Sequence, residues 1–187
     1  MNSPTSVGAD AKLLRYAPED QLRLPGDVLD AVAAWQREHL RVRAVPRENL
    51  HITLAFLGHR PAGELDAIVG ELRAAAAAAG PDLRLTATGY RETRSVAMLV
   101  FADVGGGATA LAADLQARLE RLGVYRREER LWLPHLTVAR FRERPRLRLE
   151  PPAMGTCVPS DAAAYLSRLR PGGAQYEVVE AVALGGR

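Results

Sequence analysis

The amino-acid sequence predicts an α+β fold of two pseudo-symmetric lobes, with antiparallel sheets facing a central cleft and helices packed outside. Two observations lead there. The segment His51-Ile52-Thr53-Leu54 recurs in outline as His135-Leu136-Thr137-Val138, a little under half the chain away. Each copy also closes the same series of parts, an amphipathic helix and then a histidine-bearing strand, over residues 27–57 and again over 108–141. Within each copy the alternation has the period of a half-buried strand. Ile52, Leu54, Leu136 and Val138 are expected in a core, with His51, Thr53, His135 and Thr137 facing the other way.

Taken in order, residues 1–23 read as a divergent N-terminal segment in which only Lys12 to Ala17 could form a short strand. Residues 24–187 read as one bilobed domain. After Leu24-Pro25-Gly26, Asp27 is expected to cap a helix whose inward stripe is Val28, Val32 and Trp35, running to His39. A brief extended piece from Val42 to Val45 and a Pro46-Arg47-Glu48-Asn49 turn lead into the first histidine strand, closed by Gly58. A second helix is expected over 62–79, burying Leu65, Ile68 and Leu72 and ending at Gly80-Pro81. Strands come next over 83–88, alternating, and 96–104, continuously apolar and therefore central. Gly105-Gly106-Gly107 lacks the Gly-Lys-Ser/Thr ending of a phosphate loop, so it is read as a helix entry. The third helix, over 108–122, carries Leu111, Leu115, Leu119 and Leu122. Two strands, over 163–169 and 175–184, close the chain.

Composition limits the classes. The 187 residues include 25 basic and 22 acidic side chains, a net charge of +3 that is too small for wholesale coating of nucleic acid. Arginines crowd residues 126–148, mostly as a solvated face interspersed with glutamates, with one or two expected to meet substrate. The single cysteine, Cys157, excludes an intramolecular disulfide and makes a cytoplasmic address the default. No apolar run approaches the roughly 20 residues of a membrane span, so no membrane association is expected. A monomer is expected.

The repeated strands suggest acid–base chemistry. Histidine titrates nearest neutrality, so two imidazoles on opposite sides of a phosphorus can divide a displacement into proton removal and proton donation. Two threonine hydroxyls can bond the non-bridging oxygens. Neither His-x-Thr supplies metal-ligand spacing, and neither a metal nor a cofactor is expected. The residues five beyond each histidine, Phe56 and Arg140, should turn away from the cleft under strict alternation, because five is odd. A bulge at the strand end would bring both back, Arg140 as a cation for phosphate and Phe56 to stack on a base. His39 and His59 have no matching partner and are read as surface or helix-terminal groups.

These residues resemble the 2H phosphoesterases, and within them the RNA 2′,3′-cyclic phosphodiesterase family also called 2′-5′ RNA ligase. The likeness extends over Pro46 to Gly58, over Pro134 to Arg140, and over Leu166-Ser167-Arg168-Leu169 with Gly173 and Tyr176. It implies opening of a terminal RNA 2′,3′-cyclic phosphate, or of a related cyclic nucleotide, to a 2′-phosphomonoester without a metal. It places the residues matching His51, Thr53, His135, Thr137 and Arg140 around the phosphate and the one matching Phe56 near the base. The family opens on an apolar strand directly ahead of the Leu24-Pro25 position, where this chain has Pro18-Glu19-Asp20-Gln21-Leu22-Arg23. Either Leu13 to Ala17 supplies that strand with an insertion after it, or this end packs differently. The motif symmetry leaves open which histidine is the acid; the reading taken is His135 as base and His51 as acid. The alternatives are 2′-5′ RNA joining or cleavage at the same site, and a nucleotide-binding module without turnover.

Overall fold

The computed structural model describes residues 17–170 and 173–185, without the side chains of 17, 167–170 and 173–176. The first strand, β1, is Ala17–Arg23, followed by α1 Gly26–His39, the short β2 Arg43–Ala44 and β3 Ile52–Phe56. Next come α2 Leu65–Ala78, β4 Arg84–Glu92, β5 Val96–Val104 and α3 Gly107–Arg121. The chain closes with β6 His135–Arg140, β7 Thr156–Cys157, β8 Asp161–Arg170 and β9 Gly173–Val182. The sheet order is β7-β4-β5-β6-β3-β1-β8-β9, with β2 beside β6 and every pairing antiparallel.

The two lobes meet at the β3–β6 junction. On one side stand β7, β4, β5 and β6, on the other β3, β1, β8 and β9, and a single register pair, Ile52 with Leu136, joins them. That narrow seam puts a histidine strand at the inner edge of each half. Ile52, Leu54, Leu136 and Val138 are all buried, as alternation requires.

Helix stripes follow the expected period. Val28, Val32 and Trp35 of α1, Ile68 and Leu72 of α2, and Leu111, Leu115 and Leu119 of α3 enter the core. Leu65 is only half-buried and Leu122, one residue past α3, is exposed. Asp27 does not cap α1: Pro25 holds the cap position and Asp27 lies in the first turn, where its charge still favours the N-terminal end of the helix dipole. The triple glycine is a matter of backbone geometry. Gly105 and Gly106 have φ of 101° and 79°, and a Cβ on Gly107 would lie 2.2 Å from the Asp82 carbonyl oxygen. The amides of Ala108 and Thr109 donate to the Asp103 carboxylate, so these donors of the helix start already have an anion.

The N-terminal end departs from expectation. The strand is not Leu13 to Ala17 with an insertion after it, since Ala17–Arg23 itself pairs with β3 on one side and β8 on the other. Residues 12–16 lie outside the described residues. A boundary at residue 24 therefore cuts through the sheet, because Arg23 forks onto Asp161 of β8 and Leu22 is fully buried.

Candidate active site

In an antiparallel pair, the Ile52–Leu136 register sets His51 alongside Thr137 and Thr53 alongside His135, all on the face opposite the buried apolar residues. The register thus brings the two His-x-Thr segments side by side across the lobe seam. Thr53 and His135 open on a cavity of about 400 Å³ that Phe56, Arg91, Tyr125 and Trp132 also line. His51 borders a smaller hollow of about 270 Å³ with Arg23, Ser160 and Tyr165.

Each strand bulges at the same place. Between β1 and β3 the register passes from Asp20–Ala55 to Gln21–Thr53, leaving Leu54 as the extra residue. Between β5 and β6 it passes from Ala97–Ala139 to Met98–Thr137, leaving Val138 as the extra residue. Both extra residues lie three beyond a histidine. The bulge buries two successive side chains, Leu54 with Ala55 and Val138 with Ala139, and so reverses the facing of the residues beyond it. Phe56 and Arg140 thereby return to the histidine face, and Phe56 is 59% exposed on the cavity wall rather than packed in the core.

Two glutamines that sequence reasoning missed hold these bulges. Gln116 of α3 donates through Nε2 to Leu54 O at 2.9 Å, and Gln36 of α1 donates through Nε2 to Val138 O at 2.7 Å. A bulge takes a carbonyl out of the ladder, and a buried carbonyl without a donor is costly. Both glutamines are buried on otherwise apolar helix faces. A polar residue at a core position was the available signal. Replacing Gln116 with Leu is expected to cost about 1–3 kcal/mol in urea unfolding by leaving Leu54 O without this donor. The same change at Gln36 should cost less, because Val138 O also accepts from Val45 N at 2.9 Å.

The larger omission was Glu19. This β1 carboxylate accepts from Thr53 Oγ1 at 2.5 Å and lies 3.0 Å from His51 Nε2. Burial alone would push the carboxyl up. The hydrogen bond and charge of His51, the Thr53 hydroxyl and the Arg140 charge outweigh burial and hold it below its ordinary value. The Nδ1 atoms of the two histidines have matching partners, Asn49 O and Leu133 O, each at 2.8 Å. Trp132 Nε1 donates to Thr53 O at 2.9 Å and ties the segment before β6 to β3.

Other polar groups sort away from this centre. His39 contacts Trp35 O and stacks on the Trp35 ring at the end of α1, and His59 is exposed. Within the arginine-rich stretch, Arg130 lines the large cavity, while Arg144 pairs with the buried Glu92 carboxylate that also receives the amides of 146 and 147. Among the described residues, no three His, Cys, Asp or Glu side chains come together as a metal-binding group. No helix among them is long and apolar enough to cross a membrane.

A family model described as the 2′-5′ RNA ligase superfamily matches residues 21–170, which takes in both histidine strands and most of the sheet. The chain belongs to the 2′-5′ RNA ligase superfamily. A superfamily relative from Thermus thermophilus, named RNA 2′,3′-cyclic phosphodiesterase, is 35% identical over 177 residues, 87% of each chain. Among solved structures, a phosphoesterase superposes with a TM-score of 0.79 at 24% identity, covering 91% of this chain and 98% of its own. LigT of E. coli complexed with 3′-AMP does so with a TM-score of 0.76 at 23% identity and the same coverage. Both likenesses show the 2H phosphoesterase fold, which in the described residues of this chain is α+β with one antiparallel sheet and three α-helices. The β1 strand of this superfamily member, with polar Glu19, Asp20 and Gln21 all buried, lies wholly within that sheet.

Proposed function

We propose that the chain hydrolyses a terminal RNA 2′,3′-cyclic phosphate, or a small 2′,3′-cyclic nucleotide, to a 2′-phosphomonoester by two-histidine acid–base catalysis. The observation that carries this reading is the pair of His-x-Thr segments laid on one face across the lobe seam, each with the same bulge. The name of the 35%-identical relative supports the same reaction. His135 takes a proton from water as its oxygen attacks phosphorus. His51 gives a proton to the 3′ oxygen as the P–O3′ bond breaks. Thr53 and Thr137 bond the phosphoryl oxygens, Arg140 offsets the developing charge, and Phe56 stacks on the base.

The test is direct. With chelator present, the purified protein should convert the four nucleoside 2′,3′-cyclic phosphates and a cyclic-ended oligonucleotide to 2′-monoesters over many turnovers, identified by phosphorus NMR. No product from any of them would sink the reading, and 2′-5′ joined or cleaved products in place of the monoester would replace it with the transferase chemistry of the same site.

A further inference from the structure

The two histidines are matched in sequence but not in surroundings. A carbonyl oxygen only accepts, so each ring carries a proton on Nδ1, directed at Asn49 O in one case and Leu133 O in the other. At the second nitrogen they differ. His51 Nε2 faces the Glu19 carboxylate at 3.0 Å, again a group that only accepts when ionised. Among the described residues His135 Nε2 has no such acceptor, and His135 lines the large cavity. One ring is therefore set between two acceptors, the other between an acceptor and the space that substrate enters.

We propose that Glu19 is a positioning residue that keeps a proton on His51 Nε2, loading His51 as the general acid and leaving His135, with a lone pair on Nε2, as the general base. The inference rests on the two-histidine hydrolysis of the preceding section and adds the residue that breaks its symmetry. In the resting enzyme Glu19 Oε1 accepts from His51 Nε2 and Thr53 Oγ1. When the cyclic phosphate enters, its oxygens take over these two donors. The bond from water oxygen to phosphorus forms, and the water proton passes to His135 Nε2. The P–O3′ bond breaks, and its electron pair takes the proton from His51 Nε2. Solvent then returns a proton to His51 and receives one from His135, and Glu19 again holds the loaded nitrogen.

The neighbouring charges fit this role. Against burial, the hydrogen bond and charge of His51, then the Thr53 hydroxyl and last the charge of Arg140 on β6, hold the Glu19 carboxyl below its ordinary value. On the outer side of His51, Arg23 is paired with Asp161 and Arg47 with Asp30, so these four cancel in pairs, while Glu48 and Tyr165 line the same hollow. The group that complicates a titration is Asp20, whose carboxyl is pushed up to about 8 by burial and by the Glu19 charge. The kinetic test therefore belongs in both the native background and Asp20→Asn.

Glu19→Gln keeps the shape of the side chain and removes its charge. The high-pH limb of kcat/KM, which reports the free enzyme in which Glu19 holds His51, should move to lower pH when this adjacent opposite charge is lost, with an approximately tenfold drop on the alkaline side of the optimum. The low-pH limb, which belongs to the base, should stay in place. If Glu19 only plugs the phosphate donors, the substitution would instead tighten inorganic phosphate and lower KM with both limbs unmoved, and the proposal falls. Nitrogen-15 NMR of the histidine rings in the native protein supplies a readout independent of turnover and of the variant's folding. Across one pH series, His51 Nε2 should carry the protonated signal where His135 Nε2 shows the lone-pair signal; identical behaviour of the two Nε2 atoms or the reverse pattern overturns the assignment. A protein with that ring pattern and no activity on any cyclic phosphate would refute the hydrolysis reading while leaving the Glu19 effect on His51 standing.

Discussion

Alanine at either His51 or His135 is expected to lower kcat about 10²- to 10⁴-fold on a 2′,3′-cyclic nucleotide, the range of a lost general acid or base. That corresponds to about 3–5 kcal/mol of transition-state stabilisation. Substrate binding should change far less, because in the proposed mechanism the phosphoryl oxygens still have the hydroxyls of Thr53 and Thr137 and the charge of Arg140. The His51→Ala, His135→Ala double variant should be little worse than the poorer single variant, since groups that act in one displacement are not additive. The residual activity is informative in itself. His135→Ala should lose the low-pH limb of the rate profile and keep the high-pH limb, and His51→Ala should do the opposite. Near-native turnover in both single variants, with circular dichroism unchanged, would remove the acid–base mechanism.

How much of this site could be read from residue order depends on how local each feature is. The histidine faces, the helix stripes and the continuously apolar β5 come from periodicity, a property of a few neighbouring residues. Even the return of Phe56 and Arg140 was accessible, because parity demanded either a bulge or two residues turned away. The bulges at Leu54 and Val138 provide the first. Strand β1 was not accessible. Pro18-Glu19-Asp20-Gln21 has no apolar alternation and poor intrinsic strand preference. It is a strand because β3 and β8 pair with it on both sides, and those partners are distant in sequence. Glu19 was missed with it, since a carboxylate gains meaning here only from a histidine 32 positions away. The two-residue β7 is likewise set by its pairing with β4.

Asp20 leads to the prediction with the largest effect on stability. Its side chain lies on the opposite face of β1 from Glu19, fully buried, and neither carboxyl oxygen has a hydrogen-bond partner. Its cross-strand neighbours are the buried Ala55 and Ala164, which offer no side-chain donor. Burial, and after it the charge of Glu19, push the carboxyl up to about 8. The folded chain therefore holds a proton that the unfolded chain releases near pH 4. The resulting sign is unfavourable at neutral and alkaline pH. The neutral acid's contribution is complete below about pH 4 and is lost as pH rises through about 8, with a slope approaching about 1.4 kcal/mol per pH unit in between. Asp20→Asn removes the titration while keeping shape and polarity. Urea midpoints of the two proteins should lie close together at pH 4–5 and separate as pH rises, with the variant ahead by a few kcal/mol, to order of magnitude, at pH 8.5. Because the Glu19 charge contributes to the upward push, Glu19→Gln should narrow that gap, and the double variant should show less than the sum of the two single gains. Parallel stability curves for native and Asp20→Asn proteins from pH 5 to 8.5 would mean that the carboxyl ionises freely, and that β1 opens to water in a way its complete burial does not allow.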